Sequence, residues 1–363
     1  MRNPSDIGEP AAPAPPAARP DARQENRPVA LAAEGVWKVF GPDAERFGAL
    51  PPEGRTPEAL AAAGLVGAVQ DATFQVAEGE VFVIMGLSGS GKSTLLRCLT
   101  RLIEPSAGKV LVRDRNILTL KEKELVELRR RHMGMVFQHF ALLPNRTVLG
   151  NIAFPLEVQG VARTEAEARA RELIETVGLA GREERFPNEL SGGQQQRVGI
   201  ARSLATNPEF WFLDEPFSAL DPLIRADLQA EVQRLQETLA RTVVFVTHDL
   251  DEAIRLADRI AIMEGGRIVQ IGTPEELVTR PANAYVRRFV SKVPPARVTR
   301  VASLMGPVGE PLDLAPVRSD ATITEIAPML VSAPPYLPVV DEGGNCVGSL
   351  DRTIALQTLA KRG

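Results

Sequence analysis

Apolar residues fall along this chain in short blocks, and their spacing sorts it into strands and helices before any motif is considered. The block 29–40 predicts a strand, followed by a Gly/Pro-punctuated stretch over 41–52. Thr56, Pro57 and Glu58 then supply an N-cap, a proline at the first helical position and an early acid, and Gly64 closes a short helix. Strand signals resume over 69–76 and 80–85. Beyond them helices and apolar strands alternate: a helix over 92–103, strands near Val110 and Val136, and strands over 210–213, 243–247 and 259–263. That alternation predicts a sheet with helices on its faces, an α/β fold. Between Gln138 and Leu190 the pattern is helical only, including a Glu- and Arg-rich run over 164–177 whose charges alternate at helical spacing. A helical subdomain inserted at about 139–190 is therefore expected.

Punctuation by Pro and Gly returns over 294–316. A short αβ tail follows, with segments at 323–331 and 336–340, a turn at Asp341-Glu342-Gly343-Gly344, a strand at 346–350 and a last helix over 352–359. The expected organisation is a Pro/Ala-rich disordered tail over 1–28, a main unit over 29–290, and a linker with a small accessory module over 291–363.

A length of 363 residues suits this division into one large unit with appendages. Net charge is -4 and the sequence pI about 5.7, which provides no global positive field for a nucleic acid and argues against that partner. Cys98 and Cys346 lie far apart in different predicted units, which argues for a reducing compartment and against a disulfide framework. No stretch approaches the roughly 18 to 20 apolar residues that a membrane helix needs, so a membrane role must come through partners. The first 28 residues have no apolar core of the kind a secretory signal carries.

The chemistry begins at Gly86-Leu87-Ser88-Gly89-Ser90-Gly91-Lys92-Ser93, which fits GxxxxGK[ST] between an apolar strand and a helix. Glycines allow the backbone to curl around phosphate oxygens with successive N–H groups pointing inward, and the helix N-terminus adds partial positive charge. Lys92 is placed to bridge β- and γ-phosphates, Ser93 to offer its hydroxyl to Mg²⁺, and Thr94 to lie near the α-phosphate. The strand Phe210-Trp211-Phe212-Leu213 ends in Asp214 and Glu215, one carboxylate for the metal and one to polarise the attacking water as general base. A second glycine turn, Ser191-Gly192-Gly193-Gln194, opens a helix and forms another anion-binding cap. One nucleotide needs one cradle, so this cap is expected to serve the γ-phosphate held by a second copy of the chain.

The phosphate loop, LSGGQQQR, FLDEP, SALD (residues 218–221) and VTHD (residues 246–249), in this order, resemble an ATP-binding-cassette ATPase over about residues 31–290. That resemblance implies a phosphate-loop α/β core, an antiparallel β subdomain and the inserted helices. It implies that Gln138 touches Mg²⁺ or the lytic water, that His248 contacts the γ-phosphate, and that Asp221 belongs to a loop crossing a dimer interface. Phe40 stands where the family stacks an aromatic on adenine, with Trp37 as the other candidate. His132 and His139 are read as structural.

Three longer strings, VFVIMGLSGSGKSTLLRCLTRLIEPSAG, MVFQHFALLPNRTVLGNIAFPLEVQG and DEPFSALDPLIR, are most similar to the ATPase subunits of glycine betaine, proline and choline importers. The insertion between Phe40 and Val69 is similar to that group as well, and the tail string PVVDEGGNCVGSLD resembles a single cystathionine-β-synthase-type module. The resemblance implies ATP and Mg²⁺ as cofactors and a homodimer docked on transmembrane permease subunits near residues 138–160. A periplasmic or lipid-anchored solute-binding protein would act indirectly, and the chain would sit at the cytoplasmic face of a bacterial inner membrane.

Overall fold

The computed structural model describes residues 27–138, 140–308 and 314–361. The tail expected over 1–28 falls almost wholly outside them, and so does His139. Six strands make the central sheet, in the order β10-β9-β3-β8-β7-β6. These are β3 (Val81–Gly86), β6 (Met133–Val136), β7 (Phe210–Asp214), β8 (Thr242–Thr247), β9 (Arg259–Glu264) and β10 (Arg267–Gly272). All neighbours are parallel except β10, which runs antiparallel on the edge. A second sheet, antiparallel and ordered β2-β1-β4-β5, combines β1 (Val29–Phe40), β2 (Val66–Ala77), β4 (Ala107–Val112) and β5 (Arg115–Asn116).

The parallel strands read as unbroken apolar runs because both of their faces are covered. Phe82, Ile84, Phe210, Phe212, Val244 and Val246 pack toward the antiparallel sheet, together with Leu95, Leu96 and Leu99 of the helix Lys92–Leu99. The alternate residues Val83, Met85, Trp211, Leu213, Val243 and Phe245 pack on the other side, against the helical part of the chain. Phe74 of β2 stacks on Phe82 of β3 with centroids 4.9 Å apart, which ties the two sheets together. Cys98 lies in this layer, and burial pushes its thiol up to about 12.

Register carries the consequence for function. Met85 pairs with Thr247, Asp214 with Val246, and Val136 with Leu213. The carboxyl ends of β3, β6, β7 and β8 are therefore level, and the residues that follow them emerge along one edge.

The helix expected over 92–103 ends at Leu99. Arg101 takes a left-handed φ of 51°, and its guanidinium donates to the carbonyls of Ile117 and Leu120, which draws the chain off the helix axis. The edge strand β10 was not anticipated, being only half-buried along most of its length. Between residues 138 and 190 the structure holds the helices Val148–Val158 and Arg163–Thr176. Buried Asn151 pins the turn before them: its amide donates to the carbonyls of Leu143, Arg146 and Thr147, and its Oδ1 accepts from Leu143 N at 2.8 Å.

The segment between β1 and β2 forms its own small core. Trp37 and Val39 pack with Phe47 and with Leu60 of the helix Pro57–Ala62, which Thr56 caps as expected. The C-terminal residues form a third sheet, β11 (Val317–Arg318), β12 (Tyr336–Val340) and β13 (Cys346–Asp351), covered by the helices Ile323–Leu330 and Arg352–Ala360 around Val317, Ile326, Val339 and Leu350. Polar contacts join this end to the main unit: Arg297 pairs with Asp251, and Glu275 Oε2 accepts from the Ser303 hydroxyl at 2.8 Å and from Arg300 N at 3.3 Å.

Leu96 sits fully buried in the layer between the two sheets, so Leu96→Ala leaves a cavity there. The expected loss of unfolding free energy is about 2–5 kcal/mol. Urea denaturation checks it, and a loss well under 1 kcal/mol would mean that this layer is not close-packed.

Candidate functional site

The glycines of the loop after β3 have steric reasons to be glycine. At Gly91, φ is 96° and an added Cβ would stand 1.9 Å from the Ala68 carbonyl oxygen; at Gly86 it would stand 2.3 Å from that of Met263. Strand β2 and the β9–β10 hairpin thus press on the loop from behind, and Gly266 N donates to Ser90 O at 3.1 Å. Lys92 follows as the first residue of its helix, buried, with Nζ donating to the Leu87 carbonyl at 3.0 Å. Burial pulls its ammonium below the ordinary lysine range, and the nearby Glu215 and Asp214 carboxylates oppose that shift. Ser93 and Thr94 occupy the next two positions, partly buried, while Ser88 and Gly89 are exposed at the loop tip.

Asp214 ends β7 with no exposed surface. Its Oδ2 takes an ion pair from Arg97 at 3.2 Å, whereas its Oδ1 is buried with no hydrogen-bond partner. Such an orphan oxygen is costly unless something else engages it. Glu215 adopts a left-handed φ of 45°, which turns its side chain off the strand direction. Its Oε1 lies 3.8 Å from Lys92 Nζ and its Oε2 lies 3.0 Å from His248 Nδ1. His248 follows β8 directly. Three sequence-separated residues thus converge on one ammonium-carboxylate-imidazole line.

Gln138 emerges two residues past β6, half-buried and outside that line of contacts. The chain beyond it is strained: Phe140 and Ala141 have φ of 39° and 51°. Arg202 holds them, donating to the Ala141 carbonyl at 2.7 Å and the Phe140 carbonyl at 3.0 Å.

Ser191 caps the helix Gly192–Leu204 in a reciprocal capping box: its hydroxyl accepts from Gln194 N, and Gln194 Oε1 accepts from Ser191 N at 3.0 Å. The two glycines differ in purpose. Gly192 is exposed with its nearest side chains 3.8 Å from a built Cβ, while a Cβ on Gly193 would meet Ile224 Cγ2 at 2.4 Å. The glycine requirement at Gly193 is therefore at least partly close packing against the helix Pro222–Leu239. Asp221 is the N-cap of that helix and accepts from Ile224 N at 3.2 Å. Among the described residues, no hydrogen bond or ion pair joins residues 191–194 or Asp221 to the loop 86–94.

Of the two aromatic candidates near the loop, Trp37 is 4% exposed and packed on Phe47, whereas Phe40 is 44% exposed. Phe40 pairs with Val66, two residues from the Ala68 carbonyl that abuts Gly91, and Lys38 Nζ lies 5.0 Å from its ring centroid. Phe40 is thus partly open to solvent, whereas Trp37 is buried. His132 is at the surface, 3.4 Å from Glu209.

Sequence reasoning missed Arg97 and Arg202. Arg97 had a signal: it lies four residues after Ser93, hence on the same helix face as a residue already assigned to the site. Arg202 had none, because its partners are carbonyls 61 and 62 residues away.

Comparison with known proteins gives the family. The ABC transporter family matches residues 69–218. The trimethylamine N-oxide transport system ATP-binding protein TmoW of Ruegeria pomeroyi is 52% identical over 334 residues, covering 91% of this chain and 97% of that protein. The glycine betaine/carnitine transport ATP-binding protein GbuA of Listeria monocytogenes is 48% identical over 276 residues, 76% of this chain and 70% of that one. Among solved structures, a post-hydrolysis dimer of the ATP-binding cassette MJ0796 bound to ADP and Pi superposes with a TM-score of 0.57 at 33% identity, covering 67% of this chain and 98% of that one.

Gly193→Ala forces the new methyl against Ile224, with an expected loss of about 1–3 kcal/mol in unfolding free energy. Ile224→Ala in the same chain removes the colliding Cγ2. Urea titration of the single and double variants should show the glycine substitution costing much less in the Ile224→Ala background, and equal costs in both backgrounds would show that the two residues do not press on each other.

Proposed function

The chain belongs to the ATP-binding subunits of ABC transporters, and from that premise we propose how its residues divide the work of binding and hydrolysing ATP and which solute that work imports. The adenine stacks on Phe40. The phosphates lie in the loop Gly86–Gly91, between backbone N–H groups of Ser88, Gly89 and Ser90, the Lys92 ammonium, and the hydroxyls of Ser93 and Thr94. Ser191, Gly192, Gly193 and Gln194 of a second copy close over the γ-phosphate, and Asp221 lies where the two copies meet.

Glu215 is the general base. The observation that carries this is its place between Lys92 at 3.8 Å and His248 at 3.0 Å, on a backbone turned out of the strand. A carboxylate there accepts a proton from water as the water oxygen bonds to the γ-phosphorus and the bond to the β–γ bridging oxygen breaks. Lys92 neutralises charge on the phosphate oxygens, and its burial in a low-dielectric site strengthens that effect. His248 orients Glu215 and reaches the γ-phosphate.

The donor set suits Mg²⁺, a hard cation that prefers oxygen. Asp214 has a buried Oδ1 with no protein partner, and the Ser93 hydroxyl and the Gln138 amide oxygen are of the same hard type. When bound there, Mg²⁺ would draw negative charge from the phosphate oxygens.

Dimerisation and docking on membrane permease subunits go with the family. Among the described residues no helix is long and apolar enough to cross a membrane. We place permease docking near residues 138–160, at the cytoplasmic face of the membrane, with a solute-binding protein acting on the far side. For the solute, the expectation of a glycine betaine, proline or choline importer narrows to a compound with a trimethylated nitrogen, trimethylamine N-oxide first. The alignment with the trimethylamine N-oxide relative covers 91% of the chain, a remainder shorter than the C-terminal αβ module, so it takes in part of that module; that with the betaine/carnitine relative covers 76%. The tail itself is read as a single accessory module.

Glu215→Gln keeps the shape of the side chain and removes its basicity. Steady-state ATPase activity should fall about 10²–10⁴-fold, while light scattering should detect dimers that persist in ATP; turnover at the normal rate would remove Glu215 from the role of base. With the permease reconstituted in vesicles, trimethylamine N-oxide delivered by its binding protein should stimulate ATP hydrolysis more than glycine betaine or choline. A preference for choline would overturn the solute assignment and leave the base assignment intact.

A further inference from the structure

Behind His248 lies a closed ring of hydrogen bonds that the catalytic assignments do not use. Glu252, in the first turn of the helix Leu250–Leu256, is nearly fully buried and reaches back toward the end of β8. Its Oε2 accepts from the Thr247 hydroxyl at 2.5 Å, and its Oε1 accepts from Gln229 Nε2 at 2.9 Å. The Thr247 hydroxyl accepts in turn from Asp249 N at 2.9 Å. Asp249 Oδ1 accepts from the backbone N–H groups of Asp251 and Glu252, at 2.9 and 3.3 Å, and so closes the ring. Thr247 and Asp249, the neighbours of His248 on both sides, are thereby locked by side-chain and backbone bonds alike. The His248 side chain alone stands outside the ring, turned toward Glu215.

We propose that Glu252 is a positioning residue for His248, acting through Thr247, and that Gln229 ties this position to the helix that begins at Asp221. A buried carboxylate is expensive, and among the described residues Glu252 has hydrogen bonds but no direct ion pair to compensate it. Its geometry supplies a reason for keeping it. Two donors, Thr247 O–H and Gln229 N–H, converge on it, and a carboxylate offers an acceptor to each. Gln229 lies two turns into the helix Pro222–Leu239; Arg225, one turn earlier, donates to the Leu220 carbonyl at 3.1 Å and lies 3.7 Å from Asp249 Oδ2. A displacement of the Asp221 end of that helix thus reaches the backbone beside His248 through two separate polar contacts. Because the Asp221 loop faces the second copy in our reading, closure of the dimer and placement of the imidazole become one event.

The test is basal ATPase activity of the full chain, with melting temperature measured in parallel. Glu252→Ala should lower kcat at least tenfold, the scale set by an ångström-sized misplacement of a reacting group, with the KM for ATP nearly unchanged. Glu252→Gln should recover most of that loss, since a flipped Gln229 amide can present its oxygen to the new amide and leave an acceptor for Thr247. Thr247→Val should behave as Glu252→Ala does, and Thr247→Ser as the native chain. In a His248→Ala background, Glu252→Ala should cause no further loss in single-turnover rate. The inference rests on the role given to His248, and the two fail differently. If His248→Ala hydrolyses ATP at the native rate, that role is wrong. If His248→Ala is impaired but Glu252→Ala is not, or if Glu252→Gln is as damaging as Glu252→Ala, or if the losses at the two sites multiply, Glu252 does not position the histidine.

Discussion

Register between parallel strands decides where every charged group of this site stands. Pairing of Met85 with Thr247 and of Asp214 with Val246 brings the starts of three separate loops level. Because side chains alternate across a strand, a slip of one residue in β7 would exchange its buried faces and turn Asp214 away from the phosphate loop. What opposes the slip is apolar: Phe210 and Phe212 fill one layer, Trp211 and Leu213 the other, and a one-residue shift would put each pair into a space shaped for the other. The chemistry at the carboxyl edge is thus held in place by residues that take no part in it.

The site concentrates features that are unfavourable one by one. Lys92 keeps an ammonium in a buried position, Asp214 holds an oxygen without a hydrogen-bond partner, and Glu215 occupies a left-handed conformation unusual for its type. They are tolerable together because the charges offset one another, Lys92 with Glu215 and Arg97 with Asp214, and because the loop backbone is clamped by β2 and the β9–β10 hairpin. Each unfavourable element also fits the role proposed for it: a buried cation, an oxygen without a protein partner and a carboxylate aimed off the strand.

One helix links the two halves of the chemistry. Pro222–Leu239 is capped by Asp221, packs Ile224 on Gly193 at the start of the serine-glycine helix, and reaches Glu252 through Gln229. In the dimeric reading, the surface offered to the partner's nucleotide and the histidine offered to the chain's own nucleotide lean on the same rigid element. Arg202 forms a comparable link from the serine-glycine helix to the strained residues after Gln138. Polar contacts thus run from the serine-glycine helix to the residues after Gln138, and from the helix Pro222–Leu239 to the ring beside His248.

How much of this was legible in residue order follows from the range of the interactions. The phosphate loop, the carboxylate pair, the capped serine-glycine turn and the histidine after an apolar strand are local patterns, since backbone curvature, strand ends and helix caps are each set within about eight residues. The α/β fold and the Thr56-capped insertion helix were legible for the same reason. The difference in exposure between Phe40 and Trp37 was not, because it turned on Phe47 and Leu60 folding over the Trp37 ring. Nor were Arg97, Arg202 and the Glu252 ring, whose partners include groups 23 to 117 residues distant. Hydrogen bonds and close packing act over a few ångströms of space whatever the separation along the chain, so sequence alone determined which chemical groups this protein carries, and only the tertiary structure decided which of them touch.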